Sequence, residues 1–349
     1  MKVKHSKYII IGAGLSGLTT AYILKENGVT DVTILEGRAQ IGGRIVTYKN
    51  VDLGATWFQQ PHQYLTSLLK ELNVGSFQQY QKGQSVLVYN TTAPAHYFES
   101  ATNESSAKRI AGGSISLIDK LSEDLGNQIE LNTKVETITE VNSGLEVATN
   151  RGLFSADKVI VTIPPKLATT LNFNPKLPEH LLSAMKQTHT WMSNSIKVGM
   201  TFGTPFWREK NYSGTVIGQI GPVIELYDHC NIEDNSFSLM GFVNEDLRNA
   251  KPDDRKERIL SYIEKYLGEP VRNYTGYFEK DWSKDEFTAS QNLKPVISSP
   301  QYGNAVFDDF YMNGKLLFSG TETAKQYGGY LEGAVVSGLT AAQGILNTK

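Results

Sequence analysis

The sequence predicts an α/β fold in which a domain built on a βαβ unit is interleaved with a second, mixed α+β domain. The first observation is Tyr8–Ile11, a short apolar run that leads into a glycine-rich turn. Such a run is typical of a strand buried on both faces of a parallel sheet. The second is the helical spacing of apolar residues after the turn, and the third is an apolar strand at Val32–Leu35. Together they predict strand, helix and strand in that order.

The glycine-rich turn is Gly12-Ala-Gly14-Leu-Ser-Gly17, and it lies between the first strand and the helix. In this pattern the first glycine permits a tight turn, the second lets a pyrophosphate approach, and the third allows the helix to pack closely. Glu36 closes the second strand, near the expected separation of about 20 residues, where an acidic side chain binds an adenosine ribose. Its charge would repel the 2′-phosphate of NADP. The opening therefore predicts a Rossmann-like dinucleotide site.

The rest of the chain alternates between the apolar periodicities of helices and strands. The predicted helices are Pro61–Val74, Ser114–Leu125, Pro178–Lys186, Pro252–Leu267 and one from about Glu332 to Leu346. The predicted strands are Ser85–Tyr89, Ile129–Leu131, Val135–Val141, Val159–Ile163, Ser195–Phe202, Val223–Tyr227, Ser236–Val243 and Lys315–Phe318. Glycine-bearing turns before residue 163 indicate a β-meander. We expect a dinucleotide domain of residues 1–75, 107–165 and 301–349, and a substrate domain of residues 76–106 and 166–300.

The composition excludes several classes of protein. The chain has 349 residues, and its 34 Lys and Arg nearly balance 36 Asp and Glu, which disfavours nucleic acid and anionic membranes as partners. The single cysteine, Cys230, excludes an internal disulfide and a thiolate metal cluster, and no metal site is predicted. Gly12 interrupts the apolar N-terminal run too early for a signal peptide, and no stretch reaches the roughly 20 apolar residues of a membrane-spanning helix. We therefore expect a cytoplasmic protein.

The residues beyond Glu36 extend the motif. Arg38 and Gly42-Gly43-Arg44 follow the second strand directly. The guanidinium of Arg44 can bind a pyrophosphate, and the paired glycines bring the backbone within range. With this segment the chain resembles the flavin amine oxidase family, the group that contains the monoamine and polyamine oxidases. The resemblance implies that the dinucleotide is FAD.

The resemblance continues in order along nearly the whole chain. Asp52–Trp57 is similar to the family segment that passes close to the flavin ring, which assigns Ala55 and Thr56 to the cofactor site. The segment from Gly112 to Val135 is similar to the second FAD-binding stretch of the family. There, the resemblance implies that the backbone at Val135 touches the adenine.

Two motifs near the C-terminus are similar to motifs of the same family. They are Phe-Ser-Gly-Thr-Glu, which ends at Glu322, and Gly-Tyr-Leu-Glu-Gly-Ala, which contains Tyr330. The resemblance implies that Gly320 and Glu322 lie at the cofactor, with Glu322 holding the ribityl chain. It implies that the backbone at Leu331 contacts the pyrimidine edge of the flavin, and that Tyr330 forms an aromatic wall over the flavin face.

The same resemblance assigns two further catalytic residues. Lys197 falls where these oxidases hold a lysine that is joined through a water to the flavin N5. A lysine in an apolar strand is costly to bury without such a partner, and the alternative is a lysine that faces solvent. Trp282 matches a tryptophan that packs beside the flavin, and the alternative is an ordinary core tryptophan.

The sequence departs from the family pattern at two adjacent positions. Gln291 and Asn292 stand where monoamine oxidases have the cysteine that attaches FAD and the tyrosine that faces the equivalent of Tyr330. We therefore expect non-covalent FAD. The aromatic cage is incomplete unless another aromatic side chain, such as Tyr302 or Phe287, fills it.

A second departure is the short interval between Trp57 and Gly112, where family members carry a helical subdomain that roofs the substrate cavity. This predicts an unusually open site, or one that another subunit of a homo-oligomer covers. An open site suits a bulky substrate and excludes water poorly.

The resemblance implies an amine oxidase. Hydride passes from the α-carbon of a neutral amine to the flavin N5, water hydrolyses the imine to an aldehyde or keto product, and dioxygen becomes hydrogen peroxide. Lys197 and its water would assist reoxidation or hold a water near N5. The open alternatives are an amine-independent enzyme such as a carotenoid desaturase or porphyrinogen oxidase, an L-amino-acid oxidase, and a flavoprotein that binds FAD for stability or redox sensing.

Overall fold

The computed structural model of the chain describes residues 3–90, 92–100, 106–289 and 301–347. Within these ranges the helices are α1 (Leu15–Glu26), α2 (Gln63–Glu71), α3 (Ile115–Ser122), α4 (Pro165–Ala168), α5 (Glu179–Gln187), α6 (Phe206–Glu209), α7 (Pro252–Leu267) and α8 (Leu331–Leu346). The strands are β1 (Lys4–Ile11), β2 (Val32–Leu35), β3 (Thr47–Tyr48), β4 (Val51–Asp52), β5 (Trp57–Gln59), β6 (Ser76–Gln78), β7 (Gln84–Val88), β8 (His96–Glu99), β9 (Ala107–Ile110), β10 (Ile129–Glu130), β11 (Val135–Val141), β12 (Gly144–Thr149), β13 (Gly152–Val161), β14 (Asn172–Asn174), β15 (Ile196–Phe202), β16 (Tyr212–Gly218), β17 (Val223–Asp228), β18 (Phe237–Val243), β19 (Gly276–Asp281) and β20 (Leu316–Phe318).

The first sheet has a parallel centre. β1 pairs in parallel with β2 on one side and with β13 on the other, and β2 pairs in parallel with β10. The first half of β13 pairs antiparallel with β12, and its second half pairs in parallel with β20. The parallel order β10-β2-β1-β13-β20 places the turn after β1 at the carboxyl edge of the sheet, where doubly wound folds bind their ligands.

Both faces of this sheet are covered, which explains the apolar run in β1. Ile10 packs into a core formed with α1, α3 and α8, whereas Ile9 and Ile11 pack into a second core on the opposite face, formed with the β11–β12–β13 meander and α5. Side chains alternate between the faces of a strand, so a strand covered on both sides is apolar throughout. The α/β fold class and the predicted meander are both confirmed.

The second sheet has the order β19-β15-β18-β17-β16-β7-β8 and is antiparallel except where β16 meets β7. One face packs against α7. On the other face, Met240 of β18 packs with Val51 and Leu53, so this sheet is attached directly to the segment that follows β4. The predicted domain boundaries stay a prediction, and β14 extends the first sheet beyond the predicted crossing at residue 165.

Several element bounds differ from the predicted ones. The helix expected at Pro61–Val74 is shorter and runs from Gln63 to Glu71, and the carboxylate of Glu332 accepts hydrogen bonds from the amides of Tyr64 and Leu65 in its first turn. In the polar stretch 76–106 we expected one strand, but the described residues form two more, β6 and β8. All four residues of β8 are exposed on the sheet edge, so they carry no apolar alternation that a sequence pattern would reveal.

Among the described residues, every helix is too short or too polar to cross a lipid bilayer. The same residues contain no group of three or more His, Cys, Asp or Glu side chains arranged to hold a metal ion.

Candidate active site

The glycine turn joins β1 to α1 with little free space. Gly12 has φ +108°, which L side chains rarely adopt. A Cβ on Gly17 would lie 2.1 Å from the carbonyl oxygen of Gly12, so only glycine allows the helix this close to the strand. Gly14 begins the helix without a side-chain cap, and it lines a cavity at the N-terminus of α1. Free N–H groups at a helix N-terminus bind phosphate groups.

Substituting Gly17 with alanine is therefore expected to disrupt the turn. The overlap with the Gly12 carbonyl forces the helix outward, which we expect to cost at least about 1–3 kcal/mol of stability and to weaken FAD binding strongly. The measurements are the urea midpoint and the flavin retained after gel filtration. The control is Gly126→Ala, since a Cβ at Gly126 meets nothing within 4 Å. Equal FAD retention in the two variants would contradict the prediction.

Glu36 closes the adenosine end of the cavity. Its carboxylate is buried and accepts hydrogen bonds from the amides of Ala13 and Arg38, both at 2.8 Å. The Arg38 guanidinium bonds Asp285 at 2.5 Å, packs over the ring of Phe287 at 5.1 Å and lies 3.7 Å from the Glu36 carboxylate. The segment after β19 therefore contacts the adenosine end of the site, which the sequence did not predict.

Arg44 and Glu322 form a buried ion pair in the middle of the site. The two guanidinium nitrogens of Arg44 bond both carboxylate oxygens of Glu322, one of them at 3.0 Å, and Arg44 also donates to Thr190. Glu322 is fully buried. Burial alone would raise the pKa of Glu322, but the charge and hydrogen bonds of Arg44 outweigh it and lower that pKa. The site therefore keeps both charges at neutral pH.

One cavity of about 630 Å³ is lined by both Glu36 and Arg44, whereas Glu322, the predicted ribityl partner, lies outside its lining. It is lined by Glu36 and Val135 at one end, by the glycine turn and Arg44 along its length, and by Leu331 and Tyr330 at the other end. Arg38, Gly43, Ala55 and Gly320 also line it. A volume of this size lies within the range of cofactor pockets, roughly 300–1,000 Å³. The glycine turn, an acidic ribose partner and a guanidinium in one cavity fit a dinucleotide.

Lys197 is fully buried beside this cavity rather than facing solvent. Its ammonium nitrogen donates to the Gly54 carbonyl at 2.8 Å and to the Thr56 hydroxyl at 2.7 Å, and it lies 5.0 Å from the ring of Phe242. Burial lowers the pKa of Lys197 to about 7, and the charge of Asp52 partly opposes that shift. Lys197 therefore supports the loop from which Ala55 enters the cavity, and its charge changes near neutral pH.

Asp52 belongs to a buried cluster of polar residues that the sequence did not predict. Its carboxylate accepts hydrogen bonds from Thr47 at 2.5 Å and from the Ser114 amide at 3.0 Å, and its own amide donates to His229 at 3.1 Å. Burial, with the nearby charge of Arg109, lowers the pKa of His229 to about 4, so this imidazole is neutral. These contacts fix the start of the loop that Lys197 supports.

Trp282 and Thr56 are buried and do not line the cavity. The indole of Trp282 donates to the Leu53 carbonyl at 2.8 Å. Trp282 therefore holds the loop 53–56 through Leu53, and Thr56 belongs to that loop and accepts a hydrogen bond from Lys197. Direct contact of either side chain with the flavin stays a prediction.

The other end of the cavity differs from the expected aromatic cage. Tyr330 is half-exposed and lines the cavity, and beside it lies Trp191, which the sequence analysis did not single out. Phe287 packs at the adenosine end over Arg38, and Tyr302 lies behind Gly328 and Gly329 outside the cavity lining. Tyr302 therefore does not line the cavity, and the aromatic ring that completes the cage stays an open prediction. Gln291 and Asn292 lie outside the described residues.

A protein-family model described as flavin containing amine oxidoreductase matches residues 15–95 and 83–346. The chain belongs to this family. Its cofactor is accordingly FAD, and membership places it among the FAD-dependent oxidoreductases that act on amines. The alternatives of a carotenoid desaturase, a porphyrinogen oxidase and an L-amino-acid oxidase are not favoured.

Individual relatives agree with this assignment. The chain is 31% identical to the flavin-containing amine oxidase B of Canis lupus familiaris over 263 residues, which cover 71% of this chain and 49% of that enzyme. It is 25% identical to the amine oxidase B of Homo sapiens, with 97% of this chain and 86% of that enzyme covered.

Two solved structures share the fold. Putrescine oxidase bound to putrescine superposes with a TM-score of 0.86 at 22% identity, covering 99% of this chain and 100% of that chain. Cyclohexylamine oxidase from Brevibacterium oxydans superposes with a TM-score of 0.85 at 20% identity, covering 98% and 99%.

Proposed function

We propose that this chain oxidises a primary amine at the Tyr330 end of the cavity, with dioxygen as the electron acceptor and hydrogen peroxide as a product. The observation that carries the proposal is the cavity itself, which runs from Glu36 to Tyr330 past a loop supported by the buried Lys197. When bound, FAD supplies the acceptor for the hydride of the amine α-carbon. The chain binds the substrate against aromatic rings and keeps a proton-carrying lysine beside the loop at Ala55.

We further propose that FAD is held without a thioether bond. The sequence contains one cysteine, and Cys230 is buried outside the lining of the FAD cavity. Burial raises the pKa of its thiol to about 12, which leaves almost no thiolate at neutral pH. Acid precipitation of the holoenzyme should therefore release all the flavin into the supernatant.

The test of the reaction is anaerobic mixing of the holoenzyme with a panel of primary amines. Bleaching of the flavin absorbance, followed by recovery and stoichiometric peroxide on admission of air, is the expected result. An unbleached flavin across the whole panel would contradict the proposal. Bleaching of the flavin without formation of peroxide would show that an acceptor other than dioxygen reoxidises the flavin.

One row of side chains on the second sheet favours a particular class of amine substrate. The pairing places Lys197 of β15 opposite Phe242 of β18, and Phe242 opposite Glu225 of β17. Directly opposed residues share a face of the sheet, and strands lie about 4.8 Å apart, so the row extends roughly 10 Å from Lys197 to Glu225.

Glu225 brings a carboxylate to an aromatic surface. It is half-buried, and it accepts a hydrogen bond at 3.1 Å from Tyr227, whose ring lies 5.0 Å from that of Trp57. A carboxylate flanked by aromatic faces suits an ammonium group. We propose a diamine substrate, in which one amine is oxidised and Glu225 binds the other. Putrescine, the ligand of one similar structure, is a diamine.

Replacing Glu225 with glutamine tests this substrate class. Loss of a charged hydrogen bond costs about 1.5–3 kcal/mol, so KM for 1,4-diaminobutane should rise roughly 10–100-fold while KM for butylamine stays within about 3-fold. The control is Glu233→Gln, which removes the same charge from an exposed loop. Equal changes in KM for the diamine and the monoamine would rule out a distal ammonium at Glu225.

A further inference from the structure

Trp191 is an exposed aromatic side chain that is nevertheless held firmly. About 39% of it is exposed, and it lines the same cavity as Tyr330. Its indole N–H donates to the Gly329 carbonyl at 3.2 Å, and its backbone N–H donates to the Tyr302 hydroxyl at 3.1 Å. Exposing a large apolar ring to water is unfavourable, so a fixed and exposed indole at a cavity is typical of a surface that contacts a ligand.

The indole lies directly beside the base of Tyr330. Gly329 precedes Tyr330 in the chain, and a Cβ on Gly329 would lie 3.1 Å from both Cδ1 and Nε1 of the indole. Gly329 also has φ +84°, a conformation that favours glycine. The glycine therefore lets the indole pack against the backbone that immediately precedes Tyr330.

On its other side Trp191 adjoins the aromatic face of the second sheet. Its ring lies 6.2 Å from that of Phe242, and the ring of Phe242 lies 6.4 Å from that of Trp57. These three rings form a continuous aromatic surface, which begins next to Tyr330 and leads toward Glu225. Trp191 is the member of this surface that lines the FAD cavity.

We propose that Trp191 is the second aromatic wall of the amine site, opposing Tyr330 across the bound substrate. The proposal rests on amine oxidation as the proposed function. Tyr330 and Trp191 bracket the amine end of the substrate, and the aromatic surface beyond Trp191 contacts the carbon chain between the two amines. The site thereby selects an unbranched alkyl amine that can lie flat along the rings.

The test compares Trp191→Ala and Trp191→Phe in the FAD-loaded protein. For Trp191→Ala we expect flavin fluorescence to increase, because an indole near the ring quenches it, and KM for hexylamine to rise about 10-fold with kcat changed less. Trp191→Phe should recover KM while keeping the increased fluorescence. Tyr64→Ala is the control, since Tyr64 is 57% exposed outside the FAD cavity.

Unchanged fluorescence together with unchanged KM in Trp191→Ala would overturn the proposal. A fall in melting temperature and FAD content with no change in KM would also overturn it, because that outcome assigns a structural role to the indole. If no amine reduces the wild-type flavin, the proposed function fails instead. The fluorescence comparison then still shows whether Trp191 faces the cofactor.

Discussion

Replacing Arg44 with methionine is expected to lower the free energy of unfolding by about 3–5 kcal/mol and to abolish retention of FAD. The reason is that Glu322 is fully buried and Arg44 bonds both of its carboxylate oxygens. Without Arg44, a buried carboxylate remains with no cation and must take up a proton or open the site. Urea unfolding of the apoprotein and flavin absorbance after gel filtration measure the two effects separately.

The double variant Arg44→Met with Glu322→Gln separates stability from cofactor binding. Removing both charges leaves no unpaired ion, so most of the lost stability should return, while FAD stays weakly bound because the guanidinium is absent. The matched control is Arg272→Met, which breaks the exposed pairs with Glu257 and Glu264 and should cost less than about 1 kcal/mol. If the double variant is as unstable as Arg44→Met, the unpaired charge of Glu322 is not the cause of the stability lost in Arg44→Met.

Replacing Lys197 with methionine is expected to slow reoxidation of the reduced flavin by dioxygen roughly 100-fold, the usual effect of removing one positioned proton donor. Lys197 is buried, and its two hydrogen bonds hold the loop at Gly54 and Thr56 against β15. Stopped-flow mixing of reduced enzyme with air-saturated buffer measures the step directly. Full wild-type turnover in this variant would remove Lys197 from the reaction.

The pH dependence of reoxidation gives a second readout on the same lysine. Burial lowers the pKa of Lys197 to about 7, so the side chain is charged below that pH and neutral above it. The wild-type rate constant should therefore fall as pH rises through about 7, whereas Lys197→Met should show a low rate without this inflection. Lys70→Met, at an exposed position of α2, should keep the wild-type profile.

The contribution of Lys197 to the free energy of unfolding should rise with pH, whereas the rate constant of reoxidation falls. The ordinary lysine pKa is 10.5, so between about pH 7 and 10.5 the unfolded chain binds a proton that folded Lys197 does not. The free energy of unfolding contributed by this group therefore rises with pH across that window. Lys197→Met should lose this slope in urea titrations, and an unchanged slope would contradict the lowered pKa.

The parts of the site that the sequence predicted are those encoded by neighbouring residues. The glycine turn, Glu36, Arg38 and the glycines before Arg44 occupy one continuous segment, and the local geometry of strand, turn and helix dictates which residue types fit. The same holds for the bounds of β2, β11 and α7, which match the apolar periodicities. The edge strand β8 was missed because its exposed residues need no apolar pattern.

The α/β class, the FAD turn and the family could all be inferred from the sequence, because each depends on short motifs whose residues are in contact through the local backbone. The pairing of Arg44 with Glu322, 278 residues away, and the burial of Lys197 against Gly54 arise only in the folded chain. The fold also places Trp191 with Tyr330 in the lining of the FAD cavity, whereas Tyr302 lies outside that lining. These contacts join segments remote in the chain, and their energies come from burial and charge pairing that exist only after the two sheets pack together.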